Sequence, residues 1–228
     1  PRSTRSSPLF PYTTLFRSGA LKPAFAALLA ADGWLPEAYG APDYSSGMGS
    51  GIGQYALYRA ADGSLTIMAS APQAVFDRAR PVLDAMGQRV FDCGRIIGLG
   101  STAKMVNQLL CGVHIAAAAE ALHLAERAGM DAAKMLEIIG VSAGNSWMFG
   151  DRGPRMLQAD PAVTSAVDIF VKDLGIVLGE GRALKAGLPL SAAAMQMFLA
   201  ASGLGHGAAD DSQVIRACRA LNGAGAKR

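Results

Sequence analysis

The chain has 228 residues, a size that suits one large domain or two modest ones. Hydrophobic residues make up 51% of it and charged residues 17%, which is the balance of an ordinary globular protein. The formal net charge is only +3, and no run of Lys and Arg suggests a nucleic-acid partner. Polar residues interrupt every apolar stretch before it reaches about 18 residues, so the sequence predicts no membrane span.

The three cysteines, Cys93, Cys111 and Cys218, are widely spaced and odd in number. This pattern fits reduced thiols better than a disulfide framework. No pair of cysteines has the spacing of a metal site, and the three histidines do not cluster with them. We therefore expect a cytoplasmic protein without a bound metal.

Residues 1–18 differ in composition from the rest of the chain. They are rich in Ser and Arg and carry no acidic residue, which is typical of a transit peptide or a disordered tail. Back-translation of LFPYTTLFRS gives instead a codon series that looks like a common short-read sequencing adapter. Residues 1–4 match the upstream arm of that adapter in the same frame. We expect residues 1–18 to be non-native and the gene to have lost its beginning.

Ordered structure is predicted from Asp62 onwards. Residues 19–56 have turn residues every few positions and no sustained strand or helix period. A DG turn then precedes the alternating strand SLTIMAS, and APQAVFDRARPVLDAMG has apolar residues at helical spacing. RVFDCG follows as a short strand. Strand, helix and strand make one α/β unit, so residues 19–97 are predicted to be the remnant of a larger α/β domain.

From residue 98 to the end, every predicted element is a helix. The first of these helices is long and ends at Gly129, a residue that suits a C-terminal stop. Candidate caps or first residues precede successive helices: Ser101 or Thr102, Asp131, Ser165, Pro189, and Asp210 or Asp211. Residues 98–228 are therefore predicted to form an all-helical C-terminal domain, and the fold class is mainly α.

The segment GLGSTA, residues 98–103, matches the glycine fingerprint of a dinucleotide-binding loop. A true phosphate loop needs a further strand after its helix, ending in an acidic residue, whereas here helix follows helix. A second match, GIGQYA at residues 51–56, has no convincing strand before it. We expect Gly98 and Gly100 instead to let a long helix start close against the preceding domain.

Polar residues share one face of that long helix. Lys104, Asn107, Gln108, Cys111 and His114 lie at i, i+3, i+4, i+7 and i+10, between apolar neighbours. One interpretation is a stripe that faces solvent. The other is a stripe that faces a cleft, where a lysine orients a hydroxyl and exchanges a proton with it.

Two further clusters have alternative interpretations. SAGNSWMF, residues 142–149, is either a loop with Trp147 as an aromatic wall or a capped helix end with Trp147 in the core. In FVKDLG, residues 170–175, Lys172 and Asp173 interrupt an apolar helix. They are either a surface pair or ligands to a polar group.

Six segments taken together resemble the β-hydroxyacid dehydrogenase family. They are DGSLTIMAS, GLGSTAKMVNQLL, AAEALHLAERAGMD, SAGNSWMF, SAVDIFVKDLGIVL and LPLSAAAMQMF. The match runs in order from about residue 57 to the end. The pairing of SAGNSWMF with SAVDIFVKDLG is most similar to the branch of the family that acts on L-threonate.

The resemblance implies a fold, a cofactor and a site. The family binds NAD or NADP on an N-terminal Rossmann-type domain and closes the site with an all-helical domain. It implies Lys104 as the catalytic acid/base, with Asn107 or Gln108 touching the substrate. It places Trp147 and Asp173 at the substrate end, and Phe170 and Lys172 near the cofactor. It also implies a homo-oligomer formed through the helical domain, with a small hydroxy acid as substrate and no nucleic-acid or membrane partner.

Two family motifs are not found where the resemblance predicts them. The Ser-Gly-Gly substrate loop should lie just before Arg59, where the sequence is GQYAL, and no nucleotide-binding glycine fingerprint stands near the N-terminus. We therefore expect the chain as given to be inactive, although its parent is a dehydrogenase of L-threonate or a related four-carbon sugar acid. The alternatives are a 3-hydroxyisobutyrate dehydrogenase, a tartronate semialdehyde reductase, or a fragment that serves only in packing or dimerisation.

Overall fold

The structure is a computed structural model that describes residues 54–59 and 65–223, and the chain divides into two compact units after Lys104. The predictions for residues 1–18 and 19–53 lie outside the described residues. The elements of the first unit are β1 (Gln54–Arg59), β2 (Leu65–Ser70), α1 (Gln73–Met86) and β3 (Arg89–Asp92). The predicted strand, helix and strand of residues 65–92 are thereby confirmed.

The three strands form one sheet in the order β1-β2-β3. β1 runs antiparallel to β2, with Gln54 opposite Ser70, and β2 runs parallel to β3, with Thr66 opposite Arg89. A parallel pair needs a crossover connection, which α1 supplies. β1 was not predicted, because this segment has no local strand signal and is extended through its pairing with β2 along six residues.

The central strand β2 carries the core of the first unit. Thr66, Ile67, Ala69 and Ser70 of this strand are all buried, as expected for a strand covered on both faces. α1 packs on one face of the sheet through Phe76 and other apolar side chains. This unit is the described part of the α/β domain.

The rest of the described chain is helical, so the prediction of a mainly α fold is confirmed. The α-helices are α2 (Leu99–Arg127), α3 (Ala132–Gly140), α4 (Trp147–Met156), α5 (Val167–Ala183), α6 (Pro189–Ala201) and α7 (Ile215–Leu221). A π turn (Ser202–His206) and a 3-10 turn (Asp211–Val214) join α6 to α7. α2 begins in the first unit and continues into the second.

Hydrogen bonds confirm two of the predicted caps, Asp131 and Asp210, and the backbone conformation confirms Gly129 as a helix end. Asp131 caps α3 because its carboxylate accepts the backbone N–H of Ala133 at 2.9 Å. Gly129 ends the turn after α2 with a φ of +81°, a left-handed conformation that favours glycine. Asp210 accepts the N–H of Ser212 at 3.2 Å and so caps the 3-10 turn before α7.

Two predicted caps were wrong. α2 begins at Leu99, and both the N–H and the hydroxyl of Thr102 donate to the Gly98 carbonyl, at 2.9 and 3.2 Å, as residues inside a helix do. Ser165 does not cap α5, because Ala166 stands at the N-cap position and the Ser165 hydroxyl hydrogen-bonds Asp211 instead. The Ser165 carbonyl also accepts the Asp211 N–H, at 2.7 Å. The adjacent Ala166 forms an isolated β-bridge with Asp210, which delays the helix until Val167.

The core of the helical unit gathers around the second half of α2. Ile115, Ala119 and Leu122 of this helix are fully buried, and Phe170 of α5 stacks on Phe198 of α6. By length and composition α2 is apolar enough to cross a membrane. Its buried apolar residues identify it as the central core helix of this unit.

Two buried ion pairs tie α4 to the 3-10 turn. Arg152 donates to both oxygens of Asp211, at 2.8 and 3.0 Å. Burial opposes the charge of Arg152, but the carboxylates of Asp211 and Asp151 outweigh it and raise the pKa of the guanidinium. Arg155 donates to Asp210 at 2.7 Å. Asp210 and Asp211 were predicted only as caps, because their ion pairs join residues that are far apart in sequence.

Candidate active site

The first half of α2 buries polar side chains and exposes apolar ones. Lys104 is only 2% exposed and Gln108 only 5%, whereas Val106 is 50% and Leu110 48% exposed. Long charged side chains are rarely buried in an ordinary structural helix. The interpretation of this face as a solvent-facing stripe is therefore wrong for Lys104 and Gln108.

A hydrogen bond joins this face of α2 to α5. Gln108 Nε2 donates to Asp173 Oδ2 at 2.6 Å, and both side chains are buried. Two residues that are 65 positions apart in sequence are thus brought into direct contact.

The other oxygen of Asp173 lies against Lys172. Lys172 Nζ is 3.0 Å from Asp173 Oδ1, close enough for an ion pair. The geometry does not make this contact a hydrogen bond, and among the described residues no aligned donor reaches this buried oxygen. Asp173 is therefore held on one side by an amide and on the other by a cation.

Asn107 extends the polar contacts along α2. Its Nδ2 donates to Gln108 Oε1 at 3.2 Å and lies 3.4 Å from Cys111 Sγ. Lys104 stands one turn before this pair on the same helix. A buried lysine thus precedes, on the same helix, an amide that is ordered by a carboxylate. Side chains of these types can orient a hydroxyl and move its proton.

Trp147 is the first residue of α4 and is 48% exposed. The Ser146 hydroxyl caps the helix by accepting the Phe149 N–H at 3.0 Å, and Asn145 Nδ2 donates back to the Gly140 carbonyl at 2.9 Å. The interpretation of Trp147 as a core residue is therefore wrong. Among the described contacts, none joins Trp147 to the Gln108–Asp173 pair, so its place in the substrate site stays a prediction.

The two residues predicted near the cofactor have different surroundings. Phe170 is 2% exposed, and its ring stacks on Phe198 with centroids 5.0 Å apart. The Lys172 side chain is 22% exposed and contacts Asp173. Their roles at a cofactor stay predictions.

The glycine turn before α2 makes a hydrogen bond to another part of the chain. Gly98 has a φ of +107°, and the Gly100 N–H donates to the Ser70 hydroxyl at 3.1 Å. The Ser70 hydroxyl, at the end of β2, thereby accepts one of the backbone N–H groups at the start of α2. Sequence reasoning missed Ser70 because a serine at the end of a strand carries no signal of its own.

The helical unit also has a cleft of about 370 Å³ away from these residues. Its lining residues are Glu120, His123, Leu124, Arg127, Met197, Cys218, Leu221 and Asn222. Burial raises the pKa of the Cys218 thiol to about 11, so this thiol is protonated at neutral pH. None of the sequence-predicted site residues lines this cleft.

Comparison with protein families gives two matches along the described chain. Residues 98–218 match the NAD-binding domain of NADP-dependent 3-hydroxyisobutyrate dehydrogenase. Residues 56–94 match the NAD-binding domain of 6-phosphogluconate dehydrogenase. Together the two families cover both described units.

Curated relatives include L-threonate dehydrogenases from several bacteria. The enzyme from Cupriavidus necator is 53% identical over 158 residues, which are 69% of this chain and 53% of the relative. The enzyme from Escherichia coli K12 is 47% identical over 169 residues, which are 74% of this chain and 56% of the relative. The chain therefore spans about half the length of the curated relatives it matches.

Solved structures also resemble this chain. A 3-hydroxyisobutyrate dehydrogenase from Salmonella typhimurium matches with a TM-score of 0.66 at 47% identity, over 71% of this chain and 58% of that one. A 3-hydroxyisobutyrate dehydrogenase from Mycobacterium tuberculosis, solved with L-serine, matches with a TM-score of 0.63 at 27% identity, over 72% of this chain and 60% of that one.

Both family models are NAD-binding domains, so the cofactor of the family is NAD or NADP. The residue types on the first half of α2, a buried lysine followed by an amide that is bonded to a carboxylate, fit the reacting end of such a cofactor. They do not fit its pyrophosphate, because within the described part the glycine turn before α2 has its Gly100 amide bonded to Ser70. The family match over residues 98–218, about half of the chain, establishes that this protein belongs to the β-hydroxyacid dehydrogenase family, of the 3-hydroxyisobutyrate dehydrogenase type.

Proposed function

We propose that the parent of this chain is an NAD(P)-dependent dehydrogenase that oxidises L-threonate or a related four-carbon sugar acid. The chain contributes the helical domain with the acid/base lysine. We further propose that the enzyme is cytoplasmic, forms a homo-oligomer through the helical domain, and binds neither nucleic acid nor membrane.

The observation that supports this proposal is the burial pattern of the first half of α2, in which polar residues are buried and apolar residues are exposed. Folding buries Lys104 and Gln108 while it leaves Val106 and Leu110 exposed. Burying a charged and an amide side chain costs free energy unless both are paired, so a fold that needed only stability would favour apolar residues here. A cost of this kind is typical of a functional site.

The proposed chemistry is the oxidation of a secondary alcohol. NAD or NADP, when bound, accepts the hydride from the carbinol carbon. Lys104 Nζ takes the proton of the substrate hydroxyl, and in the reverse direction it returns that proton to the carbonyl oxygen. Asp173, Gln108 and Asn107 orient the polar groups around this lysine.

The substrate proposal is supported by the relatives named L-threonate dehydrogenase, which are 47–53% identical in the matched region. A neighbour named 3-hydroxyisobutyrate dehydrogenase reaches 47% identity, so that substrate is the second candidate, together with tartronate semialdehyde. The polar groups of Asn107, Gln108 and Asp173 favour a polyhydroxy acid over 3-hydroxyisobutyrate, which has a single hydroxyl and an apolar methyl group.

The experiment compares three hydroxy acids in a chimera. The N-terminal half of the Cupriavidus necator relative replaces residues 1–55, so that it completes the NAD-binding domain to which residues 56–94 of this chain belong. NADH or NADPH production is then measured at 340 nm with L-threonate, 3-hydroxyisobutyrate and glycerate. We expect kcat/KM for L-threonate to exceed the other two by at least about tenfold, a difference of roughly 1.4 kcal/mol in transition-state binding.

The control is the unmodified Cupriavidus necator enzyme under the same conditions. A chimera that folds and binds NAD but oxidises 3-hydroxyisobutyrate faster than L-threonate contradicts the substrate proposal. A chimera that folds and oxidises none of the three contradicts the proposed activity of this helical domain.

A further inference from the structure

Two side-chain amides of α2, those of Asn107 and Gln108, are candidates to face a substrate. Gln108 and Asn107 are adjacent, and the family resemblance allows either of them to touch the substrate. Their hydrogen bonds distinguish the two side chains.

The hydrogen bond to Asp173 shows how the Gln108 amide is oriented. The NH2 group of Gln108 donates to Asp173 Oδ2 at 2.6 Å, because a carboxylate oxygen is the acceptor of this pair. Gln108 Oε1 then lies on the opposite branch of the amide. There it accepts the NH2 group of Asn107 at 3.2 Å.

The same reasoning orients Asn107. Its Nδ2 is directed to Gln108 Oε1 and to Cys111 Sγ, so its carbonyl oxygen lies on the other branch. Among the described hydrogen bonds none ends at that oxygen, and Asn107 is half-buried where Gln108 is fully buried. Asn107 Oδ1 is thus an ordered acceptor three residues after Lys104 on the same helix face.

We infer that Asp173 is a positioning residue: through Gln108 it fixes the amide of Asn107, so that Asn107 Oδ1 is the amide atom presented beside Lys104 to a substrate hydroxyl. The final step, from the fixed amide to the substrate, rests on the proposed function. Gln108 is then the middle of a relay that starts at Asp173 and ends at Asn107.

The relay is tested by NMR on the full 228-residue chain without substrate or cofactor. The readout is the hydrogen-exchange rate of the Asn107 side-chain NH2, assigned by its loss in Asn107→Leu. Two variants break the relay: Asp173→Leu removes the acceptor, and Gln108→Met removes the amide with little change in shape. We expect each to accelerate exchange at Asn107 by about fivefold to tenfold, the effect of losing one hydrogen bond.

Two controls separate the relay from a general loosening of the fold. Asp168→Asn changes another carboxylate of α5, one that accepts the Ser202 hydroxyl at 2.6 Å, and should leave the Asn107 rate unchanged. The NH2 group of Asn222, which donates to the Cys218 carbonyl at 2.8 Å, reports in the same spectra whether the whole helical unit has loosened.

Exchanging the amide and the carboxylate between positions 108 and 173 tests whether hydrogen-bond orientation, and not side-chain packing, orders Asn107. In Gln108→Glu combined with Asp173→Asn, the new amide at position 173 donates to the new carboxylate at 108, whose second oxygen still accepts from Asn107. We expect the swap to return the Asn107 rate to within about twofold of the original, because each hydrogen bond is replaced in kind. This variant also keeps the test valid if Asp173→Leu does not fold.

An Asn107 rate that is unchanged in Gln108→Met, or that stays fast in a folded swap variant, overturns the inference. Because no substrate is used, the outcome is independent of the turnover assay. An intact relay in an enzyme that oxidises no hydroxy acid contradicts the proposed function alone.

Discussion

At the scale of single residues, the described site is made of polar groups that folding brings together. Lys104 and Gln108 are buried on α2, and Asp173 meets Gln108 from α5 at 2.6 Å. Sequence spacing on one helix predicted that Lys104, Asn107 and Gln108 share a face. It did not predict that Gln108 and Asp173 are partners, because that contact depends on how two helices pack.

Replacing Lys104 tests the acid/base role in the chimera with the Cupriavidus necator N-terminal half. Lys104→Ala should lower kcat with L-threonate by roughly 10²–10⁴, the usual range for a lost general acid/base, with little change in cofactor affinity. The control is Lys134→Ala, which removes an exposed lysine paired with Glu137 on α3. Full activity in Lys104→Ala would contradict the proposed mechanism.

Replacing Asp210 tests the buried ion-pair network through its pH dependence. Burial opposes the charge of Asp210, but hydrogen bonds from Ser212 and Thr164 and the charge of Arg155 lower its pKa below the usual value of 3.8. Because the pKa of Asp210 is lower in the folded protein than in the unfolded chain, its charge stabilises the fold. This stabilisation is complete above the pKa of the unfolded chain and is lost as the pH falls through the pKa of the folded protein. The stability lost in Asp210→Asn should therefore be largest above about pH 5 and should shrink below about pH 4.

Chemical denaturation of both proteins between pH 3 and 7, for example in urea, measures this difference. At neutral pH we expect the variant to lose about 2–3 kcal/mol, the range for hydrogen bonds to a charged group. A loss that stays constant down to pH 3 would show that the charge of Asp210 does not stabilise the fold.

At the scale of elements, close helix packing holds α2 against α5. A Cβ added at Gly112 of α2 would lie 2.9 Å from Leu174 Cδ2, closer than real Cβ atoms come. Leu174 is fully buried, so its side chain has little room to move. This glycine permits the approach that brings Asp173, the neighbour of Leu174, to Gln108.

Two glycine-to-alanine changes separate packing from helix propensity. Gly112→Ala should lower the free energy of unfolding by about 1–2 kcal/mol, because overpacking outweighs the gain in helix propensity. Gly179→Ala lies inside α5 with no atom within 4 Å of the added Cβ, and it should raise stability by up to about 1 kcal/mol. Urea midpoints of the two variants measure both effects. Equal shifts of the same sign would contradict the packing argument.

At the scale of the whole molecule, the two described units match two NAD-binding families, and the chain spans about half the length of its curated relatives. The described residues include the polar face of α2 that carries Lys104, but the start of α2 does not offer the Gly100 amide to a phosphate group. A lysine acid/base without a positioned nicotinamide gives no hydride transfer.

We therefore expect the 228-residue chain by itself to show no turnover with L-threonate, 3-hydroxyisobutyrate or glycerate, at NAD or NADP concentrations up to several millimolar. Surface cations contribute at most about 1 kcal/mol each, whereas millimolar binding needs about 4 kcal/mol. NAD binding is measured by calorimetry and turnover at 340 nm, with the chimera as positive control. Turnover by the chain alone would show that it holds the cofactor without the missing motifs.

The sequence by itself determined the class of the fold and most of its elements. Helical periodicity, the Asp131 cap, Pro189 and Gly129 are local signals, because each acts through the backbone within one or two turns. They located the helices of the C-terminal region and the strand-helix-strand unit of residues 65–92. The motifs around Lys104, Trp147 and Asp173 were also sufficient to indicate the dehydrogenase family.

Only the tertiary structure decided which polar residues are partners. β1 is extended because it pairs with β2, and Ser165 is no cap because its side chain bonds to Asp211 instead of to the start of α5. The face of α2 that carries Gln108 is buried because α5 packs against it and supplies Asp173. These contacts join residues that are far apart in sequence, and their energy depends on burial and distance in the folded chain, which no local pattern encodes.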